Sequence, residues 1–172
     1  TESVSGLMTR GFYMMPSDQF YIWPDSWDRP FHHDSMSCSS YDNCYVPWGN
    51  YHEGTMKHVR DNDFISGQFV WTGFDYLGEP TPYQWPARSS YFGIIDLAGF
   101  PKDVYYLYQS EWQNDTDVLH LFPHWNWTEG EEVDIWAYYN NADEVELFLN
   151  GESLGTASKT PDRLHAVWRI PF

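Results

Sequence analysis

The sequence changes its pattern once, near residue 114, and this change limits the possible folds more than any other feature. Before that point, helical spacing, short apolar runs and long loops alternate, which is typical of parallel α/β structure. After it, short alternating runs are separated by turn residues, as in an antiparallel sandwich. The sequence therefore predicts two domains, residues 1–114 and 115–172.

Within the first segment, two helices and one strand are predicted. Asn50 and Glu53 have the spacing of a capping box, which predicts a helix in "NYHEGTMKHVRDNDF". The run "FISGQFVW" predicts a short strand that is buried on both faces. After a long loop, "KDVYYLYQSEW" predicts a second helix with Val104, Leu107 and Tyr108 on one side.

The second segment contains a strong hairpin signal. In "EVELFLNG", Val145, Leu147 and Leu149 alternate with residues of the opposite face. Asn150 and Gly151 follow and supply the positive φ angles that a tight hairpin turn requires. Neighbouring alternating runs predict that this hairpin belongs to a β-sandwich.

Both predicted domains are short for their class. A (β/α)8 barrel takes about 250 residues, so the first segment could supply only its last part. The second segment has about four strands, where an immunoglobulin-like domain has about seven. We therefore expect the chain to be one part of a longer polypeptide.

Charge and composition exclude several classes of partner. The net charge is −16, from 25 acidic and 9 basic residues, and such a field repels nucleic acids and anionic membranes. The sequence contains no P-loop and no dinucleotide-binding fingerprint, so neither motif indicates a cofactor. Aromatic residues reach 20%. Rings at this level are typical either of a partly wet binding cleft or of loops pinned to a core.

Three stretches together resemble glycoside hydrolase family 2, with the nearest likeness to Bacteroidetes-type β-galactosidases. "FVWTGFDYLGEPTPYQWPARSSYFGIIDLAGFPKDVYYLYQSEW" resembles the end of that family's catalytic barrel. "LFPHWNW" followed by "VELFLNGESLG" resembles the immunoglobulin-like domain after the barrel. The opening "TESVSGLMTRGFYMMP" resembles the surroundings of the nucleophilic glutamate. The resemblance implies the C-terminal portion of a (β/α)8 TIM barrel followed by an immunoglobulin-like β-sandwich, both incomplete.

The resemblance also assigns site residues. Glu2 matches the catalytic nucleophile at the end of the seventh barrel strand. Trp71 matches the ring at the end of the eighth strand, which forms part of the sugar-binding floor beside a non-proline cis peptide. Asp75 and Glu79 follow in the next loop, where they either bind substrate hydroxyls or only cap turns.

The implied activity is retaining hydrolysis of terminal β-galactosides by double displacement, which needs two carboxyl groups about 5–5.5 Å apart. The family's acid/base is a Glu preceded by Asn, and no Asn-Glu pair occurs in these residues. We therefore expect the acid/base upstream and the chain alone to be inactive. The scarcity of Lys and Arg favours a neutral sugar over a glucuronide.

The expected partners are a carbohydrate substrate, the rest of the same polypeptide and, as one option, a second copy. The resemblance implies a bacterial protein of the periplasm or the exterior, with no cofactor. An alternative hypothesis is a non-catalytic carbohydrate-binding or structural fragment.

Two further groups of residues leave their roles open. Cys38 and Cys44 could close a short disulfide loop or remain free thiols. His32, His33 and Asp34 lie near them, but their spacing fits no zinc pattern. We predict hydrogen bonds or contacts with ligand hydroxyls for these histidines, and no metal.

Overall fold

The computed structural model describes residues 2–22 and 36–172, which contain nine strands and two helices. The chain divides into two compact units, Thr1–Tyr105 and Tyr106–Phe172. The division falls inside the second helix, whereas the sequence pattern changes at residue 114. In chain order the elements are β1 (Glu2–Val4), β2 (Tyr21–Ile22), β3 (Cys44–Tyr45), α1 (His52–Arg60), β4 (Phe69–Val70), α2 (Asp103–Trp112), β5 (Leu119–Phe122), β6 (Glu132–Tyr139), β7 (Val145–Leu149), β8 (Glu152–Ala157) and β9 (Ala166–Pro171).

In the first unit the strands pair in parallel. β1 pairs with β4, with Glu2 opposite Phe69 and Val4 opposite Val70, and β2 pairs with β3. The prediction that the strand in "FISGQFVW" is buried on both faces is wrong, because Phe69 is 79% exposed. Among the described residues β4 has β1 as its neighbour and no strand on its other edge.

The helix α1 forms where the sequence predicts one, but its cap differs from the prediction. Tyr51 is the N-cap residue and makes no side-chain cap hydrogen bond, so the capping box of Asn50 and Glu53 is wrong. Instead, the Asp42 carboxylate accepts the backbone N–H groups of His52 at 2.9 Å and Glu53 at 2.6 Å. These first-turn N–H groups have no acceptor within the helix, and Asp42 supplies one.

The second predicted helix is confirmed as α2. Its residues Val104, Leu107 and Tyr108 are all buried, as their spacing predicts. Both helices are short, and in the ranges that the structure describes no helix is long and apolar enough to cross a bilayer.

The two cysteines lie in the core of the first unit. Both are free thiols, so of the two options left by the sequence the structure has the unbridged one. They pack with Leu7, Val46, Tyr83 and Phe92. Burial raises the pKa of both thiols, to about 12 for Cys44.

The second unit is antiparallel. β5, β6 and β9 form a three-stranded sheet, and β7 and β8 form a hairpin. The hairpin turn is confirmed, because Asn150 and Gly151 have φ angles of 52° and 88°. Leu147 is buried on the predicted inner face, while Phe148 is exposed on the other. Side-chain alternation therefore determines which face of this hairpin is covered.

Candidate active site

The segments that follow β1 and β4 are joined by residues 91–95. The Met8 N–H donates to the Tyr91 carbonyl at 2.9 Å. The Thr72 N–H donates to the Phe92 carbonyl at 3.1 Å, and the Ile94 N–H donates to the Thr72 carbonyl at 3.0 Å. The residues just beyond two parallel strands are thus held together by one intervening segment.

Glu2 lies on β1, and the structure describes it through its backbone. It pairs with Phe69, two residues before Trp71 on the adjacent strand β4. The main chain thus places the expected nucleophile position on β1, beside the strand that the expected sugar-floor residue follows.

Trp71 follows β4 and is linked to two polar residues of the next loop. Its peptide bond to Thr72 is cis, as the resemblance implies. The indole is 37% exposed, and its N–H donates to the Tyr76 hydroxyl at 3.3 Å. That hydroxyl in turn donates to the Glu79 carboxylate. Sequence reasoning missed Tyr76, although its position between the Trp and the Glu was a usable signal.

Asp75 faces inward and its two oxygens have different partners. One oxygen accepts the Gly93 N–H at 2.8 Å, and the other lies 2.7 Å from the Lys102 ammonium. Lys102 is 1% exposed and also donates to the Met8 carbonyl at 2.8 Å. Burial raises the pKa of the Asp75 carboxyl, although Lys102 acts in the opposite direction.

Sequence reasoning also missed Lys102. Its signal was a lone cation in the aromatic stretch "AGFPKDVYYLY", immediately before a helix. A lysine in such surroundings becomes buried only with partners, because an unpaired buried charge is costly. Burial lowers the pKa of its ammonium group, while the attraction of Asp75 raises it.

A cavity of about 380 Å³ opens beside this pair. Asp75, Tyr91 and Lys102 line it together with residues 8–10 and 96–98. Arg10 stands at this cavity with its guanidinium 2.6 Å from the Asp96 carboxylate. Among the described residues, the two basic side chains that line this cavity are each paired with a carboxylate, whereas Trp71 and Glu79 are not among its lining residues.

A second cavity, of about 340 Å³, lies between α1 and β4. Ser3, His58 and Phe69 are among its lining residues. His32, His33 and Asp34 belong to residues 23–35, which lie outside the described residues. Their predicted hydrogen bonds therefore stay a prediction.

Comparison with known proteins gives a consistent set of relatives. The model of a domain of unknown function, DUF4982, matches residues 130–172. Beta-galactosidase BoGH2A of Bacteroides ovatus is 70% identical over 172 residues, which are 100% of this chain and 20% of that protein. The chain thus spans about a fifth of the length of this relative.

Two solved structures share the fold. One is the β-glucuronidase of Parabacteroides merdae with glycerol in its active site, with a TM-score of 0.68 and 21% identity over 98% of this chain and 20% of that one. The other is β-glucuronidase 2 of Bacteroides uniformis covalently bound to cyclophellitol-6-carboxylate aziridine, with a TM-score of 0.66 and 21% identity over 100% of this chain and 18% of that one.

The fold and these relatives define the class first: the chain is related to the glycoside hydrolases. Within that class it belongs to glycoside hydrolase family 2, and its sequence is similar over its whole length to a beta-galactosidase of Bacteroides ovatus. The resemblance stated from the sequence is therefore confirmed.

Proposed function

We propose that this chain is the part of a retaining glycoside hydrolase that supplies the nucleophile, Glu2, for the hydrolysis of terminal β-galactosides. The observation that carries the proposal is the parallel register of β1 and β4, in which Glu2 pairs with Phe69, two residues before Trp71. The 70% identity to a β-galactosidase supports the substrate class.

The finer fold in this proposal is the end of a (β/α)8 barrel in residues 1–114 and part of an immunoglobulin-like sandwich in residues 115–172. The parallel pair of β1 and β4, with α1 between them in sequence, supports the barrel. The antiparallel sheet and hairpin of the second unit support the sandwich. Barrel enzymes carry their sites on the loops at the carboxyl ends of the strands, which is where Trp71 follows β4.

The proposed chemistry has two steps. The Glu2 carboxylate attacks the anomeric carbon and forms a glycosyl ester, while the leaving oxygen takes a proton from an acid/base carboxyl group outside this chain. Water then cleaves the ester, and the same acid/base takes the proton of that water. Glu2 is released as a carboxylate, so the cycle closes without a cofactor.

Two residues bind the sugar in this proposal. The half-exposed Trp71 ring offers an apolar face for stacking. Glu79 is held beside it by Tyr76 and accepts hydrogen bonds from hydroxyls. Asp75 is held by Lys102 and the Gly93 N–H, so of the two roles that the sequence left open for it we propose the structural one.

The basic side chains that the structure describes beside Asp75 favour a neutral sugar in this proposal. A glucuronide would need a cation for its carboxylate. Arg10 and Lys102, the two basic residues that line the cavity, are paired with Asp96 and Asp75 at 2.6 and 2.7 Å. Galactose carries no charge and makes no such demand.

The test is Glu2→Gln in the full-length protein that carries this segment. We expect hydrolysis of nitrophenyl β-galactoside to fall by about a thousandfold or more, because the nucleophile is lost. Glu152→Gln, on an exposed position of β8, is the matched control and keeps full turnover. Undiminished turnover of Glu2→Gln contradicts the proposal.

A trapping experiment identifies the nucleophile directly. A 2-deoxy-2-fluoro-galactosyl fluoride forms a long-lived glycosyl ester with the attacking carboxylate. Digestion with trypsin should then give a labelled peptide that contains Glu2 and ends at Arg10. A label on any other peptide removes Glu2 from this role.

The alternative is a non-catalytic carbohydrate-binding fragment, and exposed rings favour it. Phe74 and Trp85 are 60% and 74% exposed. Calorimetry of the full-length Glu2→Gln protein with galactose oligomers separates the two functions. Binding that survives Trp71→Ala but is lost with Trp85→Ala would favour the alternative.

A further inference from the structure

Lys102 connects the segment that follows β1 with the segment that follows β4. Its ammonium group donates to the Met8 carbonyl at 2.8 Å and lies 2.7 Å from the Asp75 carboxylate. Met8 is six residues after Glu2, and Asp75 is four residues after Trp71. One side chain therefore holds the segment after β1 and the segment after β4 at the same time.

The other end of this link is equally well held. The second oxygen of Asp75 accepts the Gly93 N–H at 2.8 Å, and the Asp75 N–H donates to the Ile95 carbonyl at 2.8 Å. The Lys102 N–H donates to the Ile94 carbonyl at 2.9 Å. Both partners of the ion pair are thus fixed on the segment 91–95, which also bonds to Met8 and Thr72.

The pair is buried, with 1% of the Lys102 side chain and 10% of the Asp75 side chain exposed. A charged donor in such surroundings is strongly oriented, because water does not compete for it. Catalytic groups tolerate little displacement, since a shift of about 1 Å can cost about a hundredfold in rate. A link of this kind is therefore suited to fix catalytic geometry as well as the fold.

We propose that Lys102 and Asp75 are positioning residues, which hold the Glu2 segment at a fixed distance from Trp71 through the Met8 carbonyl. This inference rests on the proposed function, because it assigns Glu2 and Trp71 to one site. It requires no contact between Lys102 and the substrate.

The test uses three variants of the full-length protein: Lys102→Met, Asp75→Asn, and both together. Each single change leaves a buried partner uncompensated and lowers Tm, whereas the double change removes both charges and restores most of it. We expect kcat to fall by about tenfold to a hundredfold in Lys102→Met and to stay low in the double variant, because Met8 has lost its donor in both. Asp75→Asn keeps that donor and loses less kcat.

The split between kcat and KM distinguishes positioning from a purely structural role. KM should change by less than about threefold in Lys102→Met, since ground-state binding does not use Lys102. The matched control replaces the exposed pair at the end of α1, Arg60→Met with Asp61→Asn, and leaves kcat unchanged. Recovery of kcat together with Tm in the double variant overturns the proposal.

A second readout does not depend on the chemistry. Hydrogen exchange of residues 5–10 and 71–76 should remain faster than in the parent in the double variant, although its Tm is restored. If Glu2→Gln keeps its activity, the proposed function fails while this measurement still decides whether Lys102 holds the two segments. Parent-like exchange in the double variant overturns the positioning role.

Discussion

The Asp42 carboxylate accepts the backbone N–H groups of His52 and Glu53, ten and eleven residues further along the chain. Tyr51, the N-cap residue itself, makes no side-chain cap, so α1 is capped from a separate loop. Asp42 is buried, and this burial raises the pKa of its carboxyl to about 7. The Asp42 carboxyl group, which caps α1, therefore changes its protonation state near neutral pH.

The first prediction concerns the size of this cap. Asp42→Ala leaves two buried N–H groups without an acceptor and should destabilise α1 by about 1–2 kcal/mol. Asp42→Asn keeps an acceptor oxygen and should cost less. Amide exchange of residues 52–56 measures both effects. Equal exchange in the two variants would contradict the cap.

The second prediction is the pH dependence of the same group. An unfolded Asp titrates near about 3.9, whereas Asp42 in the folded chain titrates near 7, so between these values the folded state binds more protons. The free energy of unfolding contributed by Asp42 should therefore fall as the pH rises from about 4 to 7. Asp42→Asn, which cannot titrate, should gain stability relative to the parent between pH 5 and pH 8. If the difference in unfolding free energy between Asp42→Asn and the parent is the same at pH 5 and at pH 8, this linkage is excluded.

Local patterns predicted local structure well. The turn at Asn150 and Gly151 was predictable because its φ angles depend on those two residues alone. The buried face of α2 was also predictable, because Val104, Leu107 and Tyr108 recur at helical spacing within one short segment. The partners of Asp42 and Lys102 were not predictable, because they come from distant parts of the chain that the sequence pattern does not bring together.

The exposed face of β4 shows a different limit. An apolar run predicts burial, but burial depends on a neighbour, and among the described residues Phe69 has β1 on one edge only. The candidate site divides in the same way. Its residue types followed from the family resemblance, while the links through Tyr76 and Lys102 needed the packed chain.

The third prediction concerns Gly93, which lies against the backbone of the segment after β4. A Cβ atom here would lie 2.5 Å from the Phe74 carbonyl carbon and 2.6 Å from the Ile95 carbonyl oxygen, and closer still to the Asp75 nitrogen. Gly93→Ala should cost about 1–3 kcal/mol in unfolding free energy, because backbone atoms cannot move aside cheaply. Gly73→Ala has nothing within 4 Å of its Cβ and is the matched control. A Tm for Gly93→Ala equal to that of the control would contradict this packing.

The fourth prediction concerns the sheet of the second unit. Asp134 and Arg169 lie opposite each other on β6 and β9, with two bonds of 2.6 and 2.9 Å, and the Asp134 side chain is 2% exposed. Arg169→Met should cost about 2 kcal/mol, because it removes both of these bonds from a buried carboxylate. Lys159→Met breaks a more exposed pair with Glu111 and should cost less than about 1 kcal/mol. Denaturant titration measures the loss of unfolding free energy in both variants. A larger loss for Lys159→Met than for Arg169→Met would contradict the prediction.

The fifth prediction concerns Trp71 and joins the site to its substrate. Trp71→Ala removes the proposed stacking face and should lower kcat/KM for nitrophenyl β-galactoside by about tenfold to a hundredfold, while Trp71→Phe keeps a ring and should lose less. Trp85→Ala is the control, since this ring is 74% exposed and stacks on Arg88 at 4.4 Å. Steady-state kinetics of the three full-length variants give the order. If Trp85→Ala loses more kcat/KM than Trp71→Ala, the sugar is bound at the loop of Trp85 and the ring after β4 serves only to complete the fold.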